Sequence, residues 1–135
     1  MAFVLDCSTA MAWCFEDEKS GHADRILEGL AVSPAVVPTI WMLEVANVLL
    51  MAQRKRRITV ADSARFLDLL RSLPIRTDEE TSRRAWTEIL PLAARLSLSA
   101  YDAAYVELAI RLDAPLATLD THLMRAAKRA GIEIL

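Results

Sequence analysis

At 135 residues and 15.0 kDa, with 54% hydrophobic residues, the chain suits one compact domain spanning 1–135 and leaves no room for a second. A formal net charge of −2 and a pI near 5.7 exclude an overall field that draws in polyanions, so any nucleic-acid contact has to use local basic patches. Cys7, Cys14, His22 and His122 lack the spacing of a zinc or redox site, and with no signal peptide or membrane-length apolar run the protein is expected to be cytoplasmic, with reduced thiols and no membrane partner.

The first apolar run, Phe3-Val4-Leu5, is short and ends abruptly in Asp6, the pattern of a strand covered on both faces with a carboxylate at its C-terminal end. In open parallel α/β sheets that end borders the ligand crevice. Ser8 is placed to cap a short helix through Phe15, and Glu16 to Gly21 reads as a loop. A helix over about His22 to Leu30 follows, with Ile26, Leu27 and Leu30 on one side, and Ala35-Val36-Val37 reads as a strand between Pro34 and Pro38.

Thr39 is expected to cap a helix from Ile40 to about Lys55 whose only polar residues between Trp41 and Ala52 are Glu44 and Asn47. A helix apolar nearly all round is normally buried on more than one side, against the sheet and a subunit or partner. A glutamate within it is costly unless paired or bound to metal. The next helix starts at Thr59 with Ala64, Phe66, Leu67, Leu70 and Leu73 as its stripe, and Pro74 stops it before a short strand at Ile75-Arg76-Thr77. Another helix is predicted from about Asp78 to Leu96, kinked or divided by Pro91.

Ser99-Ala100-Tyr101-Asp102 has the form of a capping box at the head of a helix to about Leu112. Tyr105, Val106 and Ala109 share the Asp102 side, so Asp102 heads the inward stripe. Leu116 to Leu119 reads as a strand that again ends in an acid, Asp120, before a helix over about Thr121 to Ala130 and a last strand at Ile132 to Leu135. Short apolar strands alternating with helices predict an α/β fold, a short and mostly parallel sheet flanked by helices.

Asp6 and Asp120 thus end strands, while Glu44 and Asp102 lie on inward helical faces, and no lysine or arginine occupies a matching inward position. Like charges so placed call for a cation, and carboxylate oxygens suit Mg²⁺, with Mn²⁺ a substitute. Such a site suits phosphodiester hydrolysis by metal-activated water, and no histidine or cysteine is placed as a nucleophile.

Asp6-Cys7-Ser8, Leu43-Glu44-Val45-Ala46-Asn47, Ser99-Ala100-Tyr101-Asp102-Ala103-Ala104-Tyr105 and Thr118-Leu119-Asp120, in this order and spacing, resemble the PIN domain, specifically VapC-type toxins of toxin-antitoxin modules. The resemblance implies a Mg²⁺- or Mn²⁺-dependent endoribonuclease that cuts structured RNA, commonly tRNA or rRNA. It also implies a homodimer neutralised by a cognate VapB-type antitoxin whose C-terminal segment covers the groove. It assigns Asp6 and Asp102 as metal ligands, Glu44 and Asp120 as direct or water-mediated ones, and Ser8, Asn47 and Thr118 as supporting residues. Thr121 and His122 stand where some relatives carry a further acid, which bears on a second metal.

Three basic groups, Arg54 to Arg57, Arg83-Arg84, and Arg125 with Lys128 and Arg129, could grip phosphates or simply lie in solvent near helix ends. Trp41 and Trp86 are expected in a core or interface, Trp13 could stack on bases, and His122 is expected as an exposed residue at a helix start, with contact to substrate or a part in proton transfer as the alternative. Two other functions are compatible with the residues: a catalytically silent module binding a partner through the Trp41 to Met51 helix, and a phosphotransfer receiver or phosphatase built on Asp6, which lacks the expected second acid or inward lysine.

Overall fold

Phe3–Leu5 forms β1, buried at every residue, at the centre of the computed structural model, which describes residues 1–135. Ala35–Pro38 (β2), Ile75–Asp78 (β3) and Leu116–Ala117 (β4) complete one parallel sheet in the order β3-β2-β1-β4. Val4 sets the register, pairing with Val36 on one side and Leu116 on the other. Parallel neighbours require crossover connections, and helices on these crossovers cover the apolar strands. The helices are α1 (Cys7–Ala12), α2 (Gly21–Gly29), α3 (Ile40–Arg54), α4 (Val60–Ser72), α5 (Thr81–Arg84), α6 (Leu90–Leu96), α7 (Ala100–Leu112) and α8 (Thr121–Arg129).

Several boundaries differ from those expected. Asp6, not Ser8, is the N-cap of α1, which frees the Ser8 hydroxyl for contacts elsewhere. Glu16–Glu18 is a 3₁₀ turn rather than loop. Thr39 makes no side-chain cap, and its amide instead donates to the Thr81 hydroxyl at 3.4 Å. The single helix expected over Asp78 to Leu96 is three pieces, because β3 continues to Asp78 and a π-helical turn, Ala85–Ile89, separates α5 from α6. Pro91 lies in the first turn of α6, where its missing amide costs no hydrogen bond. Strand β4 stops at Ala117, and Ile132 to Leu135 contributes only a bridge between Ile134 and Leu116.

The most deeply buried helix is α7, whose residues Ala103 to Ala109 are all inaccessible and which packs on β1, β2 and β4. Helix α3 buries one stripe only, Trp41, Val45, Leu49 and Ala52, leaving Met42, Leu43, Leu50 and Met51 exposed. Its outer face therefore has no cover within one chain. Ser63 rather than Ala64 faces inward on α4, where its hydroxyl accepts a 2.7 Å bond from Gln53. Trp41 is core, whereas Trp86, on the π turn, is 87% exposed and so no part of the core.

Candidate active site

The chain steps from β1 outward to β2 and β3, then returns to lay β4 on the free side of β1. Strand order reverses there, so a crevice opens beyond the carboxyl ends of β1 and β4. Asp6 stands at this point, its amide donating to the Ala117 carbonyl at 2.9 Å and its side chain 5% exposed. Two hydroxyls, Ser8 Oγ and Thr118 Oγ1, each donate to its Oδ2 at 2.7 Å. Those hydroxyls accept from the amides of Leu119 at 2.9 Å and Asp120 at 3.0 Å, respectively. The backbone after β4 thus commits both protons toward Asp6 and leaves Oδ1 without a side-chain partner.

Helix α3 brings Glu44 to the same region, half-buried, where the Tyr105 hydroxyl donates to Oε1. Tyr105 is wholly buried on α7, one turn beyond Asp102. The capping box expected at the head of α7 is only half made. Ser99 Oγ accepts from the Asp102 amide at 3.0 Å, but the Asp102 carboxylate makes no return bond. The same motif at Thr59 and Asp62 supplies a comparison within the chain: there the box is complete, and the Thr59 amide holds the Asp62 carboxyl below its usual range. Asp102 instead lies above that range, chiefly from burial, then from repulsion by Asp6 and Asp120, with His122 acting in the opposite sense.

Asp6 and Glu44 are raised for related reasons. Burial dominates for Asp6, against the opposing bonds of Ser8 and Thr118, and Asp120 adds repulsion. Burial also dominates for Glu44, opposed by the Tyr105 bond and reinforced by Asp6 and Asp102. Asp120 is the most exposed of the four and caps α8 by accepting from the Leu123 amide at 3.0 Å. Cys7, buried beside Glu44 and Asp6, has its thiol pushed up to about 12 by burial, so it is no thiolate nucleophile.

A second set of inward acids is neutralised. Arg111 binds Asp78 through two nitrogens at 3.0 and 2.8 Å and Glu107 at 2.8 Å, and Arg84 approaches Glu107 at 3.3 Å. These arginines point inward, but they serve Asp78 and Glu107 rather than the acids of the crevice. Around Asp6, Glu44 and Asp102 no cation of the chain forms an ion pair, so a divalent ion fits the charge and the hard oxygen donors. No three acidic, histidine or cysteine side chains are gathered as a ready-made chelate.

The sequence model of the PIN domain matches residues 3–129. The chain belongs to the PIN-domain family. No protein of curated function matches it in sequence. This PIN domain resembles in fold the crystal structure of PAE2754 from Pyrobaculum aerophilum, at 23% identity and TM-score 0.69 over 93% of this chain and 79% of that one. It also resembles VapBC2 from Rickettsia felis bound to a DNA fragment from their promoter, at 13% identity and TM-score 0.68 over 100% and 98%. A third likeness is to VapBC-1 from nontypeable Haemophilus influenzae, at 14% identity and TM-score 0.65 over 100% and 97%.

In this PIN domain Asn47 lies one turn from Glu44 but is exposed and makes no side-chain hydrogen bond. Among the basic residues, Arg57 is held by Asp17 at 2.8 Å and lies over the Phe15 ring, Arg83 pairs with Glu80, and Arg129 bonds the Leu96 carbonyl at 3.0 Å. Arg54, Lys55, Arg56, Arg125 and Lys128 are exposed and form no ion pair. A cavity of about 770 Å³ beside Phe3, Ile26, Ala114 and Pro115 opens at the amino ends of β1 and β4 and touches none of the four acids. No helix is long and apolar enough to cross a membrane.

Proposed function

We propose that this PIN domain is the toxin of a toxin-antitoxin pair: a Mg²⁺- or Mn²⁺-dependent endoribonuclease that cuts structured RNA such as tRNA or rRNA. The observation that carries the reading is Asp6, buried at the switch point, tied by two hydroxyls through one oxygen, and sharing its field with unneutralised Glu44 and Asp102. Asp6 and Asp102 would hold the ion, with Glu44 and Asp120 contributing directly or through water. When bound, such an ion neutralises charge building on the phosphoryl oxygens and acidifies water. Ser8 and Thr118 fix the Asp6 carboxylate, and burial of that carboxylate excludes competing solvent. The exposed arginines and lysines of α3 and α8 would supply phosphate contacts that the net charge of −2 does not.

The fold likeness to two VapBC complexes supports a VapB-type antitoxin as partner. The bare apolar face of α3 supports a homodimer. That same face favours a second reading, a silent module that only binds a partner. The test is expression of wild type and Asp6→Asn in a bacterial host with RNA profiling, joined to cleavage by the purified proteins with Mg²⁺ or EDTA. Growth arrest and discrete fragments from wild type, lost by about 100-fold or more in Asp6→Asn and in EDTA, are expected. Equal harmlessness of both proteins, with no Mn²⁺ binding, would favour the silent module.

A further inference from the structure

Two acids of the crevice, Asp6 and Glu44, each have one oxygen engaged by hydroxyls and one left over. On Asp6 the engaged atom is Oδ2, held by Ser8 and Thr118; on Glu44 it is Oε1, held by Tyr105 alone. The Glu44 carboxylate accepts no other hydrogen bond, and its three side-chain torsions otherwise leave it free to turn. Tyr105 has no such freedom, since its ring is wholly buried in the core on the helix that also carries Asp102. Water cannot reach the phenol to compete for its proton, and a hydrogen bond so shielded is stronger than an exposed one.

We infer that Tyr105 is a positioning residue: its hydroxyl pins Glu44 Oε1 and so leaves Oε2 to act, directly or through water, on a divalent cation that Asp6 and Asp102 would hold. The inference rests on the metal-dependent reading above and adds to it a residue outside the acidic set. Because Tyr105 and Asp102 share one rigid helix, the phenol also ties the position of the α3 acid to that of the α7 acid. Groups that orient a metal's ligands are worth about 10- to 100-fold in affinity or activity.

The test is calorimetric titration of Mn²⁺ into metal-free wild type, Tyr105→Phe, Glu44→Gln and the double variant. Tyr105→Phe keeps the ring and removes only the hydroxyl. Affinity about 10-fold weaker in Tyr105→Phe, with no further loss when the change is added to Glu44→Gln, is expected. A purely structural phenol would lower the unfolding temperature while leaving Mn²⁺ affinity unchanged, and that result overturns the inference alone. Absence of Mn²⁺ binding by wild type overturns the metal-dependent reading and this inference together. A second measurement does not depend on the folding of Tyr105→Phe: in Tyr101→Phe, where Tyr105 is the remaining tyrosine, ultraviolet resonance Raman of the ring should shift on Mn²⁺ addition. An unchanged tyrosine band with Mn²⁺ bound counts against the role.

Discussion

Thr118 illustrates how much of the site is decided by single hydroxyls. It is 1% exposed, accepts from the Asp120 amide and donates to Asp6, so its one proton is already assigned by the backbone that follows β4. Valine has the same shape but leaves the Asp120 amide unpaired and Asp6 with one donor. Thr118→Val should therefore cost about 1–3 kcal/mol, read as a lower urea midpoint, and Thr118→Ser should recover most of it. An unchanged midpoint in Thr118→Val would show that the hydroxyl contributes nothing to the network. Tyr105 is the residue that sequence reasoning passed over. The available signal was a tyrosine one turn beyond Asp102 on the core-facing stripe, since a buried phenol needs a partner.

At the scale of elements, the ends of helices carry information that the sequence conceals. Four helices close with the same long backbone bond: Arg57 to Ala52, Leu98 to Ala93, Ala114 to Ala109 and Ile132 to Ala127, each at 2.9–3.0 Å. That bond requires a left-handed residue just before its donor, and Arg56, Ser97, Asp113 and Gly131 take φ of 58°, 57°, 50° and 82°. Only the last is glycine, so only at α8 was the left-handed residue itself legible beforehand, although the helix ends near Lys55, Leu96 and Leu112 were expected. For Arg56 the β-carbon opposes the conformation, and Arg56→Gly should raise stability by about 1 kcal/mol in urea or thermal unfolding. A fall in stability would mean that the Arg56 side chain contributes more than its strain removes. The π turn at Ala85–Ile89 was equally hidden, because a periodicity argument treats 3.6 residues per turn as given.

At the scale of the whole molecule, the open question is what covers α3. Met42, Leu43, Leu50 and Met51 form an exposed apolar row on a helix whose opposite stripe is core. Leu43, 69% exposed, should lie within the contact of the proposed homodimer. Sedimentation is expected to give a dimer for wild type and a monomer for Leu43→Asp, with little change in the fold, since the side chain is largely exposed and lies outside the core. A monomeric wild-type chain would sink the dimer and leave the face for another partner.

The class of fold and the four candidate acids were legible in the chain, because both follow from local rules: short apolar runs that end in aspartate, and acids on the inward side of a 3.6-residue period. The sequence also determined that the sheet would be largely parallel, since helices separate the strands. Only the tertiary structure decided that β4 returns to β1, which places Thr118 against Asp6 across 112 positions of sequence. The Glu44–Tyr105 contact and the Arg111–Asp78 pair belong to the same category. Hydrogen-bond partners that far apart are fixed by topology and register, and neither leaves a periodic trace in the chain.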